Sequence, residues 1–203
     1  MSEESDKEDA LEKLRKRYEA ESSVAKSIEG WTNIVFSDGS PDAAIMFIGE
    51  APGADEDASG VPFVGRAGQK LNEMISAMKL DRAAEGSRGV YIANVLKVRP
   101  PNNRTPTPDE AMSDGAFLEE QIRIVSPKVI VTLGKPAANY LLRSTESMGS
   151  MRGVWHDFEG IPVMPTYHPA YLLRAYTPEN RRRVWADLQK AMMKLRELGA
   201  IDF

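Results

Sequence analysis

The chain has 203 residues, of which 42% are apolar and 28% charged, a composition typical of one soluble globular domain. It lacks the roughly 18 consecutive apolar residues of a membrane span, which excludes an integral membrane protein. It has no cysteine and only two histidines, which excludes disulfides, thiolate metal sites and a three-histidine metal centre. The charged N-terminal segment lacks the apolar core of a signal peptide. We therefore expect a cytoplasmic protein with no metal or cofactor.

The formal net charge of −4 does not by itself indicate a nucleic-acid-binding protein. Two clusters of basic residues nevertheless occur: the first contains Lys97, Arg99 and Arg104, and the second contains Arg174 and residues 181–183. Local clusters can bind phosphate groups because salt screens charges more than about 8 Å away. The alternative is that both form solvated helix surfaces, and charge alone does not decide between these interpretations.

Apolar runs and helical patterns alternate along the chain from residue 44 onwards. Short apolar runs predict four buried strands, while amphipathic spacing and Thr-Pro helix starts predict the helices between them. In chain order we predict a strand at 44–48, a helix at 65–80, a strand at 90–95, a helix at 108–125, a strand at 129–133, a helix at 136–142, a strand at 161–165 and a helix at 178–198. This alternation predicts an α/β fold, a three-layer sandwich with a central four-stranded parallel sheet flanked by helices.

The chain divides into a charged N-terminal segment at 1–25 and a predicted single domain at 26–203. The later segment contains every predicted strand, and it shows no internal repeat or low-complexity tract. The first segment is interpreted either as a helix packed on the domain or as a solvated tail, since its apolar heptad positions are poorly filled.

Polar side chains follow three of the four predicted strands. Glu50 follows the first strand, Asn94 lies at the end of the second, and His168 follows the fourth. Because the carboxyl ends of parallel strands meet at one edge of a sheet, these side chains are expected to converge on a ligand crevice. Each also has a structural interpretation, as a turn residue or as a partner for backbone groups at a strand end.

A glycine-rich segment at 49–68 follows the first predicted strand. It lacks the Lys-Ser/Thr of a phosphate-binding P-loop and the G-x-G-x-x-G spacing of dinucleotide sites. A nucleotide-binding protein or hydrolase of similar topology would need one of these or a metal-binding pair of acids, and only the acidic run at 55–57 is available. Phe63 in this segment is either a core anchor or a stacking platform.

Three ordered motifs carry a resemblance to a known family. They are residues 49–57 with the sequence GEAPGADED together with Pro62-Phe63-Val64-Gly65, then residues 94–104 with the sequence NVLKVRPPNNR, and then residues 168–174 with the sequence HPAYLLR. Together they resemble the uracil-DNA glycosylase superfamily, and they are most similar to its family-four branch. The resemblance implies a monofunctional DNA glycosylase of base excision repair that flips uracil out of DNA and hydrolyses its N-glycosidic bond. Ala51, in place of a bulkier polar residue, would leave room beside the base, so hypoxanthine and xanthine stay open as further substrates.

The resemblance implies a role for each residue that surrounds the base. Phe63 would stack on the uracil, and the Asn94 amide would read its O4 and N3–H groups. His168 would donate a hydrogen bond to O2 as negative charge develops there. The best-known branch has an aspartate where this chain has Ala51, so the attacking water is assigned to Glu56 in preference to Glu50, with Asp57 or a backbone carbonyl as alternatives.

The same resemblance implies contacts with single- or double-stranded DNA. Leu172 or Leu173 would wedge into the vacated stack while the other packs into the core. Lys97, Arg104 and Arg174 would neutralise phosphates. We expect a monomer that releases free uracil.

This sequence departs from the family-four branch at its iron–sulfur cluster, which four cysteines hold in that branch. The cysteine positions align with Ser22, Ala25, Val98 and Asp114, of which Val98 is the firmest assignment. The sequence therefore predicts a cluster-free relative in which core packing replaces the cluster. The main alternative is a non-catalytic module that binds uracil-containing or abasic DNA.

Overall fold

The computed structural model describes residues 3–201, which form a mixed sheet between two layers of helices. The sheet contains β1 (Asp38–Gly39), β2 (Ile45–Gly49), β3 (Tyr91–Asn94), β4 (Val129–Leu133), β5 (His156–Phe158) and β6 (Ile161–Thr166). Their spatial order is β1-β3-β2-β4-β6-β5. The four central strands β3, β2, β4 and β6 run parallel, and β1 and β5 pair antiparallel at the two edges.

The helices connect and cover these strands. They are α1 (Glu3–Glu21), α2 (Ser23–Ser27), α3 (Ala54–Ser59), α4 (Arg66–Ala77), α5 (Pro108–Val125), α6 (Lys135–Leu142), α7 (Met148–Met151), α8 (Pro169–Arg174) and α9 (Pro178–Glu197). None of the helices within residues 3–201 is long and apolar enough to cross a membrane.

The predicted three-layer α/β class is confirmed, but the sheet has six strands rather than four. The two additional strands are β1, with the sequence Asp-Gly, and β5, with the sequence His-Asp-Phe. Both are too short and too polar to give an apolar run, so periodicity does not reveal them. The four predicted strands correspond to the four parallel central strands.

The central strands are apolar on both faces because a hydrophobic core lies on each side of the sheet. On one face, Ile48 belongs to the same buried cluster as Leu118 and Ile122 of α5. On the other face, Phe47 belongs to a cluster with Leu71 of α4 and Leu188 of α9. Alternate residues of β2 therefore point into different cores, as the two-residue repeat of a strand requires.

The charged helix α1 lies against α5. Its Leu14 and Tyr18 are buried, and the Tyr18 ring packs edge-on against Phe117 of α5 at 5.0 Å between ring centroids. The buried apolar residues of α1 therefore face α5, while most of its polar surface is exposed.

The N-terminus of α5 confirms the predicted Thr-Pro helix start. The Thr107 hydroxyl accepts a hydrogen bond from the Glu110 backbone N–H at 3.2 Å, and the Glu110 carboxylate accepts one from the Thr107 N–H at 2.8 Å. Arg104 donates two hydrogen bonds to the same carboxylate, at 2.8 and 2.6 Å. This capping box fixes the loop that leads from β3 to α5.

Candidate active site

A cavity of about 690 Å³ lies beyond the carboxyl ends of the parallel strands. It is the place where an open α/β sheet binds ligands. Side chains from four loops line it, including Glu50, Phe63, Asn94, Arg104, His168 and Arg174. The structure thus brings the residues that follow β2, β3 and β6 to one cavity.

Phe63 and Asn94 converge on Gly49 at the end of β2. A Cβ atom on residue 49 would lie 2.3 Å from Asn94 Oδ1 and 2.5 Å from Phe63 Cζ, so only glycine fits there. The Phe63 ring is also stacked on the His168 ring, with 5.7 Å between centroids and 30° between planes. Phe63, Asn94 and His168 therefore lie around one space at the end of β2.

The backbone of the Phe63 loop is held in an unusual conformation. Phe63 has a φ of 53°, in the left-handed region that few non-glycine residues adopt. Arg82 donates hydrogen bonds to the carbonyl oxygens of Phe63, at 2.7 Å, and of Pro62, at 2.5 Å. Arg82 is held in turn by Asp38, at 2.6 Å. Arg82 supports the site, and sequence reasoning missed it because it lies far from the three motifs.

Asn94 presents an unsatisfied acceptor in the cavity wall. Its side chain is buried, and its Oδ1 atom has no hydrogen-bond partner among the described residues. A buried polar atom without a partner costs about 1–3 kcal/mol. A ligand that offers an N–H group at this position would remove that cost.

His168 is a neutral hydrogen-bond donor in this environment. Its Nδ1 atom accepts a hydrogen bond of 3.0 Å from the Ala170 backbone N–H at the start of α8. The neutral ring therefore carries its proton on Nε2. Burial, together with the nearby positive charge of Arg174, lowers the pKa of His168 to about 4, while the charge of Glu56 opposes the shift.

Glu56 connects two backbone segments through its carboxylate. Its carboxylate accepts hydrogen bonds from the N–H groups of Gly53, Val64 and Gly65 at 3.2, 2.9 and 3.0 Å. It thereby joins the start of α3 to the segment that carries Phe63. Asp57 has a similar task outside the cavity lining, since its carboxylate accepts from the N–H groups of Thr32 and Asn33.

Glu50 is a second carboxylate that lines the cavity. It is partly buried and lines the cavity together with Ala51. Burial raises the pKa of Glu50, and a hydrogen bond with Thr105 partly offsets this effect. A carboxylate with a raised pKa is a better proton acceptor than an exposed one.

The structure separates the residues expected at the DNA surface into two groups. Arg104 and Arg174 are exposed and line the cavity, and Leu173 is partly exposed on α8. Leu172, by contrast, is buried in the core beneath α8. Of the two leucines, Leu173 is therefore the one that a bound partner could contact.

The expectation that Lys97 neutralises a phosphate is wrong. Its side chain is fully buried, and its Nζ atom donates hydrogen bonds to the Asn94 carbonyl oxygen at 2.6 Å and to Gln121 Oε1 at 2.5 Å. The sequence shows a basic residue beside exposed arginines, but the chain turns inward at this position because its neighbours Leu96 and Val98 belong to the core.

The positions that align with the family-four cysteines lie near one another at the contact of α1 and α2 with α5. Asp114 accepts hydrogen bonds from Ser22 Oγ at 2.9 Å, from the Tyr18 hydroxyl at 2.8 Å and from the Lys97 backbone N–H at 3.1 Å. Ala25 and Val98 have no ligating atom in their side chains. This polar network therefore does not fit an iron–sulfur cluster.

The comparisons with known proteins agree with this geometry. Residues 36–189 match the family model of the uracil DNA glycosylase superfamily, so the chain belongs to that superfamily. It is 45% identical over 170 residues to the Type-4 uracil-DNA glycosylase of Thermotoga maritima, covering 83% of this chain and 86% of that protein. It is 42% identical over 203 residues to that of Sulfurisphaera tokodaii, covering 94% and 86%. The Type-5 uracil-DNA glycosylase of Pyrobaculum aerophilum is 28% identical over 170 residues, covering 77% and 71%.

Proposed function

We propose that this protein is a monofunctional uracil-DNA glycosylase of base excision repair, which hydrolyses the N-glycosidic bond of a flipped-out uracil. The observation that carries the proposal is the unpartnered Oδ1 atom of Asn94, a buried residue that lines one cavity together with Phe63 and a neutral His168. No other amide lining this cavity combines burial with a missing partner within the described residues.

Recognition of the base begins with stacking. Extrusion of a nucleotide from a duplex costs a few kcal/mol, and stacking on one aromatic ring returns about 1–3 kcal/mol. Asn94 Oδ1 then accepts the uracil N3–H, and its amide group donates to O4. Cytosine presents the opposite pattern at both positions, so it would leave buried polar groups unpaired.

The chemistry requires stabilisation of a negative leaving group. As the bond between C1′ and N1 breaks, its electron pair passes to uracil, and charge develops on O2. The Nε2–H group of His168 donates to that oxygen. The oxygen of a water molecule bonds to C1′, and its proton passes to a carboxylate.

We assign this carboxylate to Glu50. The sequence favoured Glu56, but three backbone N–H groups already occupy the Glu56 carboxylate. Glu50 lines the cavity and has a raised pKa. A general base must lie beside the attacking water and be basic enough to accept its proton, and Glu50 has both properties.

DNA would be bound around the mouth of the cavity by Arg104, Arg174 and Leu173. The two arginines would neutralise phosphates on single- or double-stranded DNA, and Leu173 would enter the space that the flipped base leaves. The remaining parts of the proposal are a cytoplasmic monomer, a single catalytic domain at 26–203, and release of free uracil.

The protein is further proposed to work without an iron–sulfur cluster. The Asp114 network supports this part, since it links Tyr18 of α1 and the Ser22 cap of α2 to α5 through groups of the polypeptide itself.

The test is an end-labelled oligonucleotide with a single uracil, treated with the protein in chelator and then with alkali, which breaks the strand at an abasic site. Matched single- and double-stranded substrates carry cytosine, thymine, hypoxanthine or xanthine at the same position. Scission that depends on uracil and is lost in Asn94→Ala supports the proposal. Retained binding to uracil DNA without scission would instead establish the non-catalytic binding module.

A further inference from the structure

Lys97 is a basic side chain that the proposed reaction does not use. It is fully buried, whereas lysine is rarely buried without a partner because an ammonium group loses its hydration. It lies three residues after Asn94, and its Nζ atom binds the main-chain carbonyl of that residue at 2.6 Å. The buried amine is therefore hydrogen-bonded to the main chain of the residue whose side chain would read the base.

The surroundings of the Lys97 amine contain acceptors rather than a paired carboxylate. Gln121 Oε1 accepts at 2.5 Å, and the Phe36 ring centroid lies 5.6 Å from Nζ. Asp114 is the nearby acid, but it accepts from the backbone N–H of Lys97. Burial lowers the pKa of Lys97 to about 7, against the opposing charge of Asp114. The charged and the neutral amine both keep two hydrogens for the two acceptors.

Gln121 makes this contact rigid. Its Nε2 atom donates to the Phe36 carbonyl oxygen and to the Tyr91 hydroxyl, each at 3.2 Å. The amide orientation of Gln121 is thereby fixed from two sides, and its Oε1 atom is aimed at Lys97. A continuous chain of hydrogen bonds runs from α5 through Gln121 and Lys97 to the end of β3.

Asn94 depends on its backbone for its position. Its Oδ1 atom has no partner in the described part of the chain, so no hydrogen bond to that atom anchors the side chain before a ligand binds. β3 ends at this residue, and the carbonyl that Lys97 holds is the last one of the strand. A change in the direction of that carbonyl would rotate the peptide and displace the amide group.

We propose that Lys97 is a positioning residue, which holds the main-chain carbonyl of Asn94 so that the base-reading amide is fixed before uracil enters. Gln121 is the brace that connects this contact to α5. The inference rests on the proposed role of Asn94 in uracil recognition. It extends the site to two buried residues that do not touch the base.

The test is a double-mutant cycle of Lys97→Met with Asn94→Ala, measured as the single-turnover rate of uracil release at saturating DNA. Misplacement of a recognition group by about 1 Å lowers a rate about 100-fold, so Lys97→Met is expected to lower it about 10- to 100-fold. If Lys97 acts through Asn94, the same change in the Asn94→Ala background has an effect of at most about threefold.

A matched control separates positioning from loss of stability. Lys97→Met leaves two buried acceptors unpaired and therefore lowers the melting temperature whatever its role. Leu118→Ala, in the core cluster that also contains the neighbours Leu96 and Val98 of Lys97, also lowers the melting temperature, but the Leu118 side chain has no group that can hydrogen-bond to Asn94. All variants are assayed at a temperature where circular dichroism shows them folded, and Leu118→Ala is expected to keep the rate of the unmodified protein within about twofold.

Affinity for free uracil, measured by calorimetry, gives a second readout that does not depend on turnover. It is expected to fall at least about fivefold in Lys97→Met and to stay unchanged in Leu118→Ala. An unchanged rate and affinity in Lys97→Met, or an equal loss of rate in the presence and absence of Asn94, would overturn the inference. An unmodified protein that does not release uracil would instead overturn the proposed function.

Discussion

The Phe63 ring lies against the His168 ring with their centroids 5.7 Å apart. The contact joins the loop after β2 to the start of α8, two segments that are more than 100 residues apart in the sequence. One ring supplies an apolar platform and the other supplies a directed N–H group. Burial of the His168 ring, against which Phe63 packs, is the main cause of its lowered pKa, and the charge of Arg174 adds to it.

His168 is expected to act as a neutral donor throughout the physiological pH range. Its pKa of about 4 lies below the ordinary 6.5, so the single-turnover rate should show no titration near pH 6.5. His168→Ala should lower this rate about 10²- to 10³-fold, as removal of an oxyanion donor does. Nuclear magnetic resonance titration of the ring, assigned with the His156→Gln variant, measures the pKa directly.

The same shift determines the sign of a stability effect. Between pH 6.5 and about 4 the unfolded chain binds a proton at residue 168 that the folded protein does not bind, so stability falls as the pH drops through this window. His168→Gln should reduce the slope of melting temperature against pH in this window. An unchanged slope would contradict the assigned pKa.

Glu50 and Glu56 are expected to separate catalysis from stability. Glu50→Gln should lower the single-turnover rate by about 100-fold or more, because it removes the general base. Its melting temperature should stay the same or rise, since burial already disfavours the charge of Glu50. Glu56→Gln should lose about 2 kcal/mol of unfolding free energy, because its carboxylate accepts three backbone hydrogen bonds.

The two variants are compared by single-turnover kinetics and thermal melting on the same preparations. A slow but fully stable Glu56→Gln with an active Glu50→Gln would reverse the assignment of the two carboxylates.

Arg174 is expected to contact a phosphate. Its replacement by alanine should reduce the slope of log Kd against log salt concentration by about 0.9 on duplex DNA or about 0.7 on a single strand. Fluorescence anisotropy on labelled uracil oligonucleotides measures this slope. Arg123→Ala is the matched control, since Arg123 is exposed on α5 and paired with Glu159, and it is not among the residues that line the cavity. Equal slopes for Arg174→Ala and the unmodified protein would remove Arg174 from the interface.

Asp114 is expected to stabilise the contact of α1 and α2 with α5. Asp114→Ala leaves the Tyr18 hydroxyl, Ser22 Oγ and Lys97 N–H without their acceptor. We expect a loss of about 3 kcal/mol in unfolding free energy by urea denaturation. Chelator should change neither the unfolding curve nor the activity of the unmodified protein. Loss of either in chelator, together with iron in the purified protein, would show that metal is needed after all.

The central sheet and the residues that follow its strands were accessible from sequence. Parallel strands are buried on both faces, so β2 and β4 appear as continuous apolar runs, and the motif residues Phe63, Asn94 and His168 follow strand ends that must meet. Helix α5 was predicted with its correct ends because Thr107, Pro108 and Glu110 are local signals. The edge strands and the short helix α8 carry no comparable local pattern.

The roles of individual polar residues were less accessible, because they depend on partners distant in sequence. Glu56 and Glu50 are both acids after the same strand, and they are distinguished by the three backbone contacts of Glu56 and by the burial that raises the pKa of Glu50. Lys97 belongs to a basic cluster of the sequence, which favours a surface position. Its side chain is nevertheless buried, and its partner Gln121 lies on α5. Arg82 gives no motif signal, although it holds the Phe63 loop.

The Asp114 network has a consequence for how the protein reaches its native state. It connects side chains 96 and 92 residues apart with atoms that the polypeptide itself provides. Under the proposed cluster-free function, assembly of this network would need no delivery of iron and sulfide during or after synthesis. On the same proposal, removal of uracil from DNA would continue in cells that are starved of iron.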